Sequence, residues 1–211
     1  MRPAIIIAAV LVFFSFVVGL YLYPNMPATL DSHWNSAGQA DGTSSKFSGL
    51  FAIPIVSLVL FLVMLFIPRI DPRKENIKKF QGYYDAIVLV MVVFFFYVYV
   101  LSIWWNLGWR FNFGIALLPA FTVLFWFMGL LLEKAKMNWF IGIRTPWTLS
   151  SERVWNKTHK VGARLFKVAA LITLLGLVFR DQAILFVIVP VVVFAIYLIA
   201  YSYVEYRRKK H

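Results

Sequence analysis

Six stretches of this chain are predominantly apolar and long enough to cross a bilayer: residues 3–23, 50–67, 86–105, 113–132, 161–179 and 183–203. A helix needs about 20 such residues to span the hydrocarbon. The fifth carries Arg164 and Lys167 in its opening turns, from where they snorkel to the headgroups. The only polar residues well inside these runs are hydroxyl-bearing, among them Ser15, Ser57, Ser102, Thr122 and Thr173. The expected fold class is therefore an all-α polytopic membrane protein with six transmembrane helices. The first run is much longer than a signal-peptide core and is followed by no small-residue cleavage pattern, so it reads as a retained span.

The pattern breaks in three longer connectors. Residues 24–46 read PNMPATLDSHWNSAGQADGTSSK, in which Pro24 and Pro27 extend the chain. A strand over 28–35, with turn signals at Gly38 and Asp41-Gly42, predicts a short β-ribbon. Residues 68–83 form a charged loop. Residues 133–160 form the third connector, where Pro146 keeps Thr145 out of a helix. The Thr148-Leu149-Ser150-Ser151-Glu152 run then offers hydroxyl caps and an acid for a helix that starts near Ser151 and merges into the fifth apolar run. The remaining connections, 106–112 and 180–182, are short enough to make the runs they join antiparallel neighbours.

Composition agrees with the periodicity. At 62% hydrophobic and 14% charged residues, a soluble domain is excluded. There are no cysteines, hence no disulfides and no thiolate metal ligands. The net charge of +12 is explained by its distribution. With the amino terminus inside, every Lys and Arg except Lys46, Arg110 and Arg180 falls on the cytoplasmic side, which is a strong positive-inside bias. Both termini are then cytoplasmic, and nucleic-acid binding is not needed to account for the charge. The division this predicts is a two-span module over 1–67 with an extracellular loop at 24–46, a cytoplasmic loop at 68–83, and a four-span module over 84–211 with a cytoplasmic segment at 133–160. Tyr83, Tyr84, Trp104, Trp105 and Trp109 fall where aromatic rings anchor at headgroup depth.

Candidate chemistry is confined to the connectors. On the outer side His33, Trp34, Asn35 and Asp41 combine apolar area with hydrogen-bonding capacity, as a ligand-facing loop would; packing of Trp34 on the span ends is the alternative. Asp31, His33 and Asp41 are a weak pattern for a metal site, and neither a metal nor any other cofactor is expected. On the inner side Arg153, Lys157, Lys160, Arg164 and Lys167 recur at intervals of four and three, a basic stripe on one helix face suited to the anionic inner leaflet or to a protein partner. His159 is expected on that helix surface. No nucleophile–base pair or metal cluster points to an enzyme. No ionisable residue lies at mid-span, which argues against the remaining alternative of a small-solute transporter or channel.

Two motifs together carry a resemblance. Tyr23-Pro24-x-x-Pro27, then His33-Trp34-Asn35-x-x-Gly38-x-x-Asp41-Gly42, resembles a module that precedes SdpI-type membrane proteins. Ile141-Gly142-Ile143-Arg144-Thr145-Pro146-Trp147-Thr148-Leu149, followed by Trp155 and His159, resembles the SdpI-family signature. The resemblance implies a membrane immunity protein that protects a cell from a secreted toxic peptide. It further implies a receptor able to hold a cytoplasmic transcriptional repressor at the membrane. On that reading the outer loop faces the toxin, and Arg144, Thr145, Pro146, Trp147, Thr148, Trp155 and His159 belong to a partner-docking signature flanked by the basic stripe. A structural clasp across the inner ends of the bundle, in a membrane scaffold without a toxin role, is the alternative reading of the same residues.

Overall fold

The computed structural model describes residues 2–208. Lys209 and Lys210 of the basic tail, and His211, lie outside the described residues. The chain is an all-α polytopic membrane protein. Its helices are α1 (Pro3–Leu22), α2 (Lys46–Ile70), the short α3 (Lys74–Lys78), α4 (Gln81–Asn106), α5 (Phe113–Lys134), the short α6 (Pro146–Ser150), α7 (Glu152–Leu175) and α8 (Leu185–Arg207). Their starts follow local chemistry. Ser45 caps α2 by accepting from the Ser48 N–H, and Asn112 caps α5 by accepting from the Ile115 N–H at 2.9 Å. At α1 a proline occupies the first turn, where its missing N–H costs nothing.

Among the described residues, five helices are long and apolar enough to cross a membrane: α1 with its following turn, α2, α4, α5 and α8. The sixth expected span, α7, is also long at 24 residues, but its first two-thirds carry the basic stripe. It packs against both α5 and α8, and its contact with α5 is the most extensive in the bundle. On the other side α1 and α2 each pack more against α4 than against each other. The two halves of the bundle each have an apolar cluster. One joins Ala8, Val12, Phe61, Val88 and Leu131; the other joins Leu118, Phe125, Ala169, Ala170 and Val187. Large apolar side chains such as Phe13, Leu20, Val123 and Ile196 remain exposed and form the surface that lipid covers.

Between α1 and α2 the chain forms the ribbon, β1 (Thr29–Trp34) antiparallel to β2 (Ala40–Ser45), with a bulge around His33. The turn is at Asn35–Gly38 alone. Asp41 and Gly42, expected at the turn, lie in β2, with Gly42 paired to His33. Two expected interfacial anchors are also core residues. Tyr84 is fully buried and its hydroxyl donates to the Met64 carbonyl at 2.6 Å, while Trp105 is buried under the ribbon. Trp104 and Trp109 are exposed and stacked on each other, as anchors would be.

The ribbon packs on Phe113, the first residue of α5, and the 133–160 segment begins at its last turn. At 1.5 Å per residue the 22 residues of α5 separate these two ends by about 33 Å, close to the thickness of the hydrocarbon.

Candidate functional site

At the ribbon end, the motif residues divide into those that build the loop and those that face out. Asp31 is the docking point. Its N–H donates to Asn106 Oδ1 at 2.8 Å and its carbonyl accepts from Asn106 Nδ2 at 3.0 Å, so the side-chain amide imitates a neighbouring strand. Its carboxylate accepts from the Trp105 indole at 2.8 Å and lies 3.7 Å from Arg110. Trp34 stacks on Phe113 with ring centroids 3.8 Å apart and meets Trp105 edge-on. Asn35 makes the turn, its Oδ1 accepting from the Ala37 and Gln39 N–H groups. Gly38, at φ +74°, touches Asn112, which donates to the Ala37 carbonyl at 2.9 Å. Trp34 and Asn35, both half-buried, thus hold the ribbon in shape. His33 and Asp41 are exposed and bonded to each other across the bulge, His33 Nδ1 to Asp41 Oδ1 at 2.5 Å. Asp31 is drawn into the Trp105 contact, so it does not join His33 and Asp41 as a metal ligand set.

At the opposite end, the second motif folds into a clasp. Asn138 is fully buried and saturated: Oδ1 accepts from the Phe140 and Ile141 N–H groups, and Nδ2 donates to the Lys136 and Ile141 carbonyls. Asp71 ties the clasp to the α2–α3 connection, accepting from the Trp139 N–H at 2.9 Å. Thr145 and Thr148 form a reciprocal capping box that starts α6. Thr145 also reaches Ser202 on α8 at 3.0 Å, and Thr148 donates to the Ile143 carbonyl at 2.8 Å. Trp155, wholly buried, donates to the Ala135 carbonyl at the end of α5 at 3.0 Å. Arg144 instead bonds the Trp139 carbonyl within its own segment at 2.7 Å. Trp147 packs on Tyr203.

His159 is not on the helix surface as expected. It stacks on Trp155 at 3.9 Å, its Nδ1 donates to the Trp155 carbonyl at 2.9 Å, and its Nε2 accepts from the Ile143 N–H at 3.1 Å. Both ring nitrogens are used by the neutral form, and a second proton would face the Ile143 N–H. Burial lowers its pKa from 6.5 to about 4, while the Trp155 carbonyl opposes the shift. His159 lies at the head of α7, ahead of the apolar run. Its contribution to stability is fully present above pH 6.5, declines as the pH falls from there toward 4, and levels off below. An unfolding titration in detergent is expected to show a loss of about 3 kcal/mol across that window, abolished in His159→Phe. A pH profile unchanged by that substitution would place the titration elsewhere.

The basic stripe is divided between two neighbours. Arg153 donates to the Glu205 carbonyl at 3.0 Å and Lys157 meets the buried Glu205 carboxylate at 2.8 Å, both on α8. Lys167 meets Glu133 on α5 at 2.7 Å. Lys160 and Arg164 are exposed and, among the described residues, have no carboxylate partner.

Comparison with known proteins fits this arrangement. Residues 134–202 match the SdpI/YfhL protein family. Over that segment the chain is similar to the SdpI/YfhL family. The SdpI/YfhL segment thus starts at the last residue of α5 and ends at Ser202, the residue that closes onto Thr145. Residues 10–58 match a domain of unknown function (DUF1648), which begins inside α1, encloses the ribbon and ends inside α2. Immunity protein SdpI of Bacillus subtilis (strain 168) is 22% identical over 204 residues, covering 97% of this chain and 96% of that protein. No solved structure matches. Within the SdpI/YfhL segment, Asn138, Ser202 and Glu205 just beyond it were not expected as site residues. For Glu205 the available signal is its place as a lone acid closing an apolar run, where a buried carboxylate needs a cation.

Proposed function

We propose that this chain is a membrane immunity protein that protects against a secreted toxic peptide. The observation that carries the reading is similarity to Immunity protein SdpI along nearly the full length of both chains. In this reading the chain crosses the membrane six times, α7 included, with the ribbon outside and the clasp and both termini in the cytoplasm. The distribution of Lys and Arg supports that orientation. The exposed His33–Asp41 pair is the toxin-facing part of the ribbon, held up by Trp34, Asn35 and Asp31. Arg144, Pro146 and the outer edge of Trp147 are the accessible part of the signature, and they form the docking face for a cytoplasmic repressor. Residues Thr145, Thr148, Trp155 and His159 hold that face in shape.

The test is survival. A sensitive host expressing the chain is expected to tolerate at least tenfold more of the cognate toxic peptide than a host without it. His33→Ala/Asp41→Ala is expected to remove most of that margin while the protein still reaches the membrane in normal amount. Arg144→Ala is expected to keep protection and lose recruitment of the repressor to the membrane fraction. Survival no better than in the empty host, across the toxic peptides encoded beside such chains, would sink the reading.

A further inference from the structure

A groove of about 490 Å³ opens between the end of α5 and the face of α7. Its cations are Lys134, Lys136, Lys160, Arg164 and Lys167, and its single acid is Glu133. That acid is already occupied by Lys167 at 2.7 Å and lies 3.9 Å from Lys134. Lys136, Lys160 and Arg164 are left without a carboxylate partner among the described residues. The floor is formed by Leu132, Ala135 and Ala163 together with the buried His159 ring, whose two nitrogens are already bonded.

The helix face above the groove identifies its occupant. Positions four, seven and eleven residues beyond Arg164 lie on the same side of α7. They are Val168, Leu171 and Leu175, all exposed and all apolar. The same stripe thus turns from cationic to hydrocarbon within one helical turn. Lys167 marks the boundary, lying over the exposed Trp126 ring at 6.0 Å. A soluble protein or a free phosphate would satisfy the cations and leave the apolar half of the stripe unused. A molecule with an anionic head and an acyl tail satisfies both.

We propose that this groove is a binding site for an anionic phospholipid, with the phosphate held by Lys136, Lys160 and Arg164 and the acyl chains laid along Val168, Leu171 and Trp126. The fit is one of charge and depth, since basic residues at a helix end gather the acidic headgroups of the adjacent leaflet. The site stands whether or not the chain confers immunity, because it uses only the end of α5 and the face of α7.

Native mass spectrometry of the full chain in detergent tests it, with phosphatidylglycerol and phosphatidylcholine of matched acyl chains supplied in equal amounts. The protein is expected to retain phosphatidylglycerol at least fivefold over phosphatidylcholine. Lys160→Gln/Arg164→Gln is expected to bring the two lipids near parity, and Lys160→Gln alone to fall between. Arg69→Gln/Lys74→Gln, which removes the same charge from exposed positions away from the groove, is expected to keep the preference. Equal retention of both lipids by the unaltered protein would overturn the proposal, as would an undiminished preference in the groove variant or an equal loss in the control. Displacement of the bound phosphatidylglycerol by a large excess of inorganic phosphate would also overturn it, in favour of a free-anion site.

Discussion

Replacing Gly142 with alanine is expected to be among the most damaging single changes in the clasp, costing about 4 kcal/mol. Two effects add. Gly142 sits at φ +115°, where a Cβ brings backbone strain of about 1–3 kcal/mol. That Cβ would also stand 2.2 Å from His159 Nε2, and the His159 ring is held on both nitrogens and stacked on Trp155. Relief requires moving a fully engaged ring, at about 1–3 kcal/mol for an overpacked core. Thermal unfolding in detergent measures the effect directly. Gly82→Ala is the control, since a Cβ there meets nothing within 4 Å and the residue lies in α4. An alanine at Gly82 is expected to leave stability unchanged or raise it by up to about 1 kcal/mol. Similar melting for the two variants would show that the His159 contact carries no weight.

The second large effect is expected at Trp34→Ala, about 3–5 kcal/mol for removal of a packed tryptophan. The loss is local to the ribbon end. The stack on Phe113 and the edge contact with Trp105 disappear, and the buried Trp105 indole and Asp31 become accessible to water. Hydrogen exchange is expected to rise in β1 and β2 and around Asn106 and Asn112, while α7 and the clasp remain protected. Trp34→Phe is expected to recover more than half of the stability, because a ring still fits the stack and the Trp34 Nε1 makes no hydrogen bond among the described residues. Uniform exchange across the whole bundle in Trp34→Ala would mean that the ribbon is not a separate unit. In the protection assay, loss of function in Trp34→Ala with retention in Trp34→Phe would mark Trp34 as a supporting residue rather than a contact.

How far these elements can be read from sequence depends on the reach of the chemistry involved. Apolar runs and caps are short-range signals. The helix over Glu152–Leu175, the extended Thr145 and the hydroxyl cap at Ser151 all follow from residues within four positions. The ribbon was legible for the same reason. Its turn was less so, because Asp-Gly suits a tight turn but is also tolerated in a strand beside a bulge, where Asp41 found His33. The candidate site was harder. Asp31 is fixed by residues 74 and 75 positions away, and Thr145 by Ser202 at 57. Nothing near Asp31 distinguishes a solvated acid from one that docks a ribbon. The same limit explains Tyr84 and Trp105: a ring at a span end reads as an anchor until the helix facing it is known. His159 looked solvent-facing because it adjoins the basic stripe, yet Gly142 leaves it the space to turn inward.

The packing around α4 bears on how the protein is assembled. Because α1 and α2 meet α4 more extensively than each other, the first hairpin enters the bilayer before its main partner has been synthesised. Until α4 arrives, Arg2 lacks the Asp85 carboxylate that later receives it. Insertion of the first two helices and their docking are thus separate events in time. A nascent chain arrested at the end of α2 would be correctly threaded but loosely held, and would become a prime target for membrane quality control.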